Sequence, residues 1–319
     1  MIIKRLALLM ALAAPITALA QTYPTKPVRI ILGFTPGGGV DINARLMAPK
    51  LSEYLGQQVL VENRPGAGTN IANELVAKAA PDGYTLLMNT AAVAINMSLY
   101  KKVGFDTLRD FAAVTMFSTS PNVMVVNAKV PARNVAEFLE LARSQPGKLN
   151  YSSAGSGTTQ HLAGELLKTL TKTSLTHIPY KGSAPSLTAL VAAEVQLSFA
   201  NIPAISAHVK AGRLRALALT GAKRSDLMPD VPTMKESGVN MEVDVWYGVL
   251  APAATPRPII NRLAEQIARV AHDPEIKKRL IDLGAEPLGN KPEEFAKILR
   301  AEVSTWAEVV KASGATAED

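Results

Sequence analysis

Two apolar runs in this chain each end in a glycine-rich turn and hand over to an amphipathic run. The first is VRIILGFTPGGGVD, residues 28–41, and the second is LNYSSAGSGTTQ, residues 149–160. Repeated strand-to-helix handovers of this kind constrain the fold more than any other feature. They predict an α/β chain with mostly parallel strands. Glycine appears where backbone must bend sharply or approach something closely. A helix start also leaves backbone N–H groups unpaired at the positive end of its dipole.

The rest of the chain follows the same alternation. Strands are expected at Val28–Phe34, Gln58–Glu62 and Tyr84–Asn89, with helices at Val40–Leu55 and Thr69–Ala80 between them. Ala44, Met47, Leu51 and Leu55 share one helical face, and Pro49 predicts a kink or an early stop. A second unit has strands at Met124–Val126, Leu149–Tyr151, Leu175–Ile178, Val195–Ala200 and Leu214–Thr220. Its helices are Val135–Ser144, Gln160–Leu170 and Ser183–Ala193. After a strand at Val243–Ala251, three proline-started helices close the chain: Pro256–Ala271, Pro274–Leu283 and Pro292–Ser313, with no strand between them. They are expected to pack on the first unit.

Several function classes fall away. Lys4-Arg5, the apolar run Leu6–Ala14, Pro15 and the small residues Ala18-Leu19-Ala20 form a secretory signal peptide, cleaved after about Ala20. No cysteine exists, so thiolate chemistry, disulfides and a lipid-anchored precursor are excluded. Without Lys4 and Arg5 the formal charge falls from +7 to +5, and the basic residues are scattered. With aromatics at 5 %, neither a basic stripe nor a stacking platform for nucleic acid is present. A mild positive bias suits an anionic small ligand.

Neither glycine loop matches a P-loop, which needs Lys-Ser/Thr after its last glycine, or the dinucleotide fingerprint. Spacing alone leaves each loop open between a plain tight turn and an anion site. Matched positions at two helix starts make the anion reading as strong as the turn, since two such ends facing one another would grip an anion from both sides. His161 lies near Ser152, Ser153 and Ser156, but no G-x-S-x-G elbow or third triad member accompanies it. The histidines at 161, 177, 208 and 272 are far apart in sequence and form no ligand pair, so no metal or cofactor is expected. Asp41 reads as a cap or dipole partner of its helix. Phe34 and Trp246 read as core residues, with cleft lining the alternative.

Longer blocks carry a resemblance. YPTKPVRIILGFTPGGGVDINARLMAPKLSEYLGQQVLVENRPGAGTNIANELVAKAAPDGYTLLM, LNYSSAGSGTTQHLAGELL, IPYKGSAPSLTALVAAEVQLSFAN, LRALALTGAKRSDLMPDVPTMKESG and VWYGVLAPAATP occur in one order. Together they resemble the substrate-binding proteins of tripartite tricarboxylate transporters, the Bug family of periplasmic receptors, from Tyr23 to about Ser313. The resemblance implies a two-lobe, type II-like periplasmic-binding-protein (Venus flytrap) fold with the ligand between lobes. Lobe 1 would comprise 21–121 and 245–319, lobe 2 122–244, with crossovers near Pro121–Asn122 and Asp244–Val245 and room for a third crossing strand.

It further implies a monomeric periplasmic receptor, not an enzyme, that binds a small carboxylate and delivers it to a two-subunit permease or informs a sensor kinase. The ligand residues carried over are Phe34, Thr35, Pro36, Gly37, Gly38 and Asp41 in the first loop. In the second they are Ser153, Ala154, Gly155 and Thr158, with His161 behind. Thr90, Ala91 and Ala92 match a further cleft loop, and Asn201 and Trp246 fall at variable specificity positions. The family commonly has aspartate where Thr188 and Gln196 stand, and often an acidic residue where Asn201 stands. An ammonium needs such a partner. The chain therefore leans toward a di- or tricarboxylate or an aromatic acid rather than an acidic amino acid. The rivals are a sensing or sequestering protein and an exported α/β hydrolase.

Overall fold

Alternating β-branched residues build the first sheet. In the computed structural model, which describes residues 23–317, β1 (Val28–Leu32) sends Val28, Ile30 and Leu32 to one core and Ile31 to another. The signal peptide expected at 1–20 lies outside the described residues. Strand β2 (Val59–Asn63) pairs with β1 in parallel, Val28 opposite Val59, and β3 (Thr85–Asn89) flanks the other side, Ile30 opposite Leu86. Helices α1 (Gly39–Leu55) and α2 (Asn70–Ala77) make the crossovers. Ala44, Met47, Leu51 and Leu55 of α1 are buried as their spacing predicts. Pro49 neither kinks the element to a stop nor ends it. It lies on the exposed face with Arg45, so water can meet the carbonyl that the ring leaves unpaired.

The sheets are more mixed than the alternation implies. After α3 (Ala92–Leu99), β4 runs for 17 residues, Phe111–Asn127, where only Met124–Val126 is expected as a strand. Its first part pairs antiparallel with β9 (Asp244–Pro252), which pairs antiparallel with β3. Its last part pairs antiparallel with β7 (Leu197–Asn201) and β8 (Leu214–Leu219). Partners change at one step: Pro121 faces Asp244, and Asn122 faces Asn201. Proline is tolerated at this break because it has no N–H to lend a continuing ladder.

The second half repeats the layout. β5 (Asn150–Ser153) lies parallel to β6 (Thr176–Pro179) and β7. Helices α4 (Val135–Ser144), α5 (Thr159–Thr171), α6 (Ser183–Ala192) and α7 (Ile202–Lys210) surround these strands. The strand order is β2-β1-β3-β9-β4-β7-β5-β6, with β8 on β4.

The tail comprises α8 (Arg257–Ala271), α9 (Pro274–Asp282) and α10 (Pro292–Ser313). A two-residue strand, β10 (Glu286–Pro287), does lie between the last two and pairs with β4. Helix α8 packs on α1, but α10 touches α3, β4 and α5, so it ties the two halves together rather than covering the first alone. Phe295, Leu299 and Trp306 of α10 join a core continuous with Met124, Phe138 and Tyr151.

Candidate functional site

The first loop is shaped by its glycines and braced by one carboxylate. Gly37 takes a left-handed φ of 81°, and Gly38 is the extended N-cap of α1 with no side-chain cap. Asp41 accepts from the Gly37 N–H at 3.0 Å, from Arg45 Nε at 3.0 Å and from Asn63 Nδ2 at 2.9 Å. Burial alone would raise its carboxyl, but these hydrogen bonds outweigh it and hold Asp41 below the usual carboxylate range. Asp41 therefore stays charged and fixes the loop from within.

The second loop is braced from behind. Thr158, N-cap of α5, accepts from the His161 N–H and donates to the Gly155 carbonyl at 2.7 Å. The Gly157 N–H donates to His161 Nδ1 at 3.2 Å. His161 stacks on His177 with ring centroids 4.0 Å apart, so two histidines distant in sequence meet in space. Burial pushes both down, His161 to about 4 and His177 to about 3, which keeps the rings neutral. His177 Nε2 and Ser153 Oγ lie 2.7 Å apart. This is the serine–histidine contact a hydrolase would use, yet Ser153 is fully buried and its hydroxyl also bonds Gly155. Among the described residues no group of three metal-ligating side chains occurs.

Between the loops lies a narrow cavity open to solvent. Of the carried-over positions, Phe34, Thr35, Gly38, Thr90, Ala154, Thr158 and Asn201 line it. Pro36 and Gly37 are exposed beside it, and Gly155 faces an adjoining cavity. Ala91 and Ala92 are buried in the core. Asp41, Ser153 and His161 support the loops without reaching the cavity. Trp246 is displaced from the expected place altogether. It packs edge-on to Phe295, and its Nε1 donates to Glu302 Oε1 at 3.3 Å. Strand alternation sends the next residue, Tyr247, into the cavity instead.

Other lining residues were not among the expected set. Gly39, Val40, Thr159 and Gln160 simply extend the two loops into their helices. Gly182 and Ser183 begin α6, and the motif KGSAPS carried the same glycine-before-helix signal. Asn122 and Val245, expected only as crossover positions, line it from the strand break.

Four helices start at this cavity: α1 at Gly38, α5 at Thr158, α6 at Gly182 and α7 at Asn201. Only Thr158 caps its helix with a side chain; Gly38, Gly182 and Asn201 do not. Orphan N–H groups at helix starts need a cap, water or a ligand. Among the described residues, no Lys, Arg, His, Asp or Glu lines the cavity. Its polar lining is helix-start amides, hydroxyls and carboxamides, with positive dipole ends converging. Asn201 Nδ2 donates to the Tyr247 hydroxyl at 3.3 Å. Burial raises the Tyr247 phenol, so it stays neutral.

The profile of the tripartite tricarboxylate transporter family receptor matches residues 43–315. Protein BugT of Bordetella pertussis is 35% identical over 307 residues, 95% of this chain and 94% of that protein. Among solved structures, Rpa4515 of R. palustris with adipate superposes with a TM-score of 0.86 at 37% identity, covering 92% of this chain and 99% of that one. The periplasmic binding protein BugD gives 0.85 at 34%, over 93% and 100%. MatC of Rhodopseudomonas palustris with bound malate gives 0.84 at 31%, over 90% and 100%. The fold is that of periplasmic binding proteins, and the proteins it matches are solute-binding receptors, not enzymes. The chain belongs to the tripartite tricarboxylate transporter receptor family.

Proposed function

We propose that this receptor binds a small organic carboxylate, a di- or tricarboxylate or an aromatic acid in preference to an acidic amino acid. The observation that carries the reading is the cavity itself. Three uncapped helix starts meet there, and no charged side chain lines it. A carboxylate placed there is met by N–H donors and dipole ends. An ammonium group would have no anionic partner. Adipate in Rpa4515 and malate in MatC, on the same fold, support the class.

The receptor works by population shift. In this reading the chain up to 121, together with the chain from 245, forms one lobe and 122–244 the other. A ligand that touches both lobes only when they meet stabilises the closed state. Family membership supports delivery of the acid from the periplasm to a membrane transporter. The two-subunit form of that permease, removal of the leader after about Ala20 and action as a monomer belong to the same proposal.

Mass spectrometry of ligand carried through native purification, with a thermal-shift panel of di-, tricarboxylic and aromatic acids, tests the class. An acid recovered from the protein and a matching rise in melting temperature are expected. Stabilisation by glutamate or aspartate, with none by the plain acids, overturns it.

A further inference from the structure

Asn122 is fully buried, and neither atom of its carboxamide has a hydrogen-bond partner among the described residues. Among the described residues, Asn96, His208 and Asn290 each leave one buried side-chain atom unpaired; Asn122 leaves both Nδ2 and Oδ1. It alone of these lines the cavity between the glycine loops. Leaving such a group unmatched is costly, so it requires an explanation.

The backbone cannot shift to bring the side chain to another partner. The Asn122 N–H donates to Thr220 Oγ1 at 2.9 Å, and its carbonyl accepts from the Thr220 N–H at 2.8 Å. Its strand neighbour is Asn201, whose own carboxamide is engaged with Tyr247. Backbone and register are therefore fixed, and one donor and one acceptor are presented together to the cavity. An ionised carboxylate only accepts; it would satisfy Nδ2 and leave Oδ1 stranded. A hydroxyl accepts and donates through one atom.

We propose that Asn122 reads a hydroxyl on the bound acid, Nδ2 donating to the hydroxyl oxygen and Oδ1 accepting its proton. The favoured ligands are then hydroxycarboxylic acids. This rests on the carboxylate reading above and narrows it.

Calorimetric titration of matched pairs tests the assignment: malate against succinate, citrate against tricarballylate, and mandelate against phenylacetate, with succinamate as an amide control. In any pair that binds, the hydroxylated member should bind about 10-fold tighter or more, the value of a paired against a stranded buried group. Asn122→Leu should bring the pair to within about twofold by weakening the hydroxylated member alone. The ligand-free variant should melt no lower than the parent, because an unmatched amide has been removed; a purely structural asparagine would show a loss. If Asn122→Leu does not fold, Asn122→Ala serves the same comparison. Equal affinity within pairs, a preference that survives the substitution, or tighter binding of succinamate each overturns the hydroxyl assignment. Binding of no acid at all overturns the carboxylate reading itself, and this proposal with it.

Discussion

Trp246 and Tyr247 are neighbours on β9 and face opposite ways. The indole donates to Glu302 of α10, and the phenol accepts from Asn201 in the cavity. Trp246→Ala should therefore cost stability, about 3–5 kcal/mol for a large aromatic lost from a core, with ligand preference unchanged. Tyr247→Phe should keep the fold and weaken binding several-fold, since it frees Asn201 Nδ2 from its partner. Denaturant melts and calorimetry on both variants separate the two roles. A Trp246→Ala protein of parental stability would show that the core assignment is wrong.

Gly38→Val should abolish binding with little loss of fold. Gly38 is extended, and an added Cβ would meet only the Thr35 carbonyl, at 3.6 Å. The side chain would cover the amides that begin α1. Gly155→Val should behave differently. Its φ of 132° is strained for any side chain, and its Cβ would lie 3.3 Å from the Tyr180 carbonyl. Loss of melting temperature should accompany its loss of binding. Retained affinity in Gly38→Val would remove the first loop from the grip.

Stability should fall as the pH drops from about 6.5 toward 4. Both His161 and His177 are held below their ordinary value by burial, His177 further by its stacked neighbour. Across this window the unfolded chain binds protons at these positions and the folded chain does not, so stability rises with pH. The loss completes as pH falls through the folded values. His177→Phe should flatten the slope of melting temperature against pH between these limits. An unchanged slope would assign the acid sensitivity elsewhere.

Asn201→Asp should invert the charge preference of the cavity. A carboxylate at the start of α7, beside Tyr247, would repel a bound anion and offer a counter-charge to an ammonium. Affinity for plain dicarboxylates should drop about 10-fold or more, while glutamate or aspartate gains, from the strength of partly buried charge interactions. A calorimetric panel on parent and variant measures both. If plain acids bind equally well to both proteins, Asn201 does not face the ligand.

Strands β1, β2 and β3 and the two glycine loops are legible because each rule acts locally: alternating apolar residues, then a turn that only glycine tolerates. Strand β4 is not. Only Met124–Val126 reads as a strand, whereas β4 runs on through Pro121 and changes partners there. Helix α3, sequence AVAINMSL, is buried nearly all round and carries no periodic signal. The pair Trp246-Tyr247 shows the limit most sharply. β9 is buried on both faces, so its sequence is almost continuously apolar, and nothing local fixes which ring turns inward. Asn122 is placed in the cavity by the pairing of β4 with β7, far along the chain. Such placements are properties of register and cannot be read from neighbours.

The chain has two tryptophans, and Glu302 accepts a hydrogen bond from both, Trp246 on β9 and Trp306 on α10. Neither indole touches the cavity. Intrinsic fluorescence is thus a gauge of one joint, where a cleft strand meets the helix that ties the two halves. An emission change on adding an acid would record β9 moving against α10, and its rate would time the closing of the receptor rather than the arrival of the ligand.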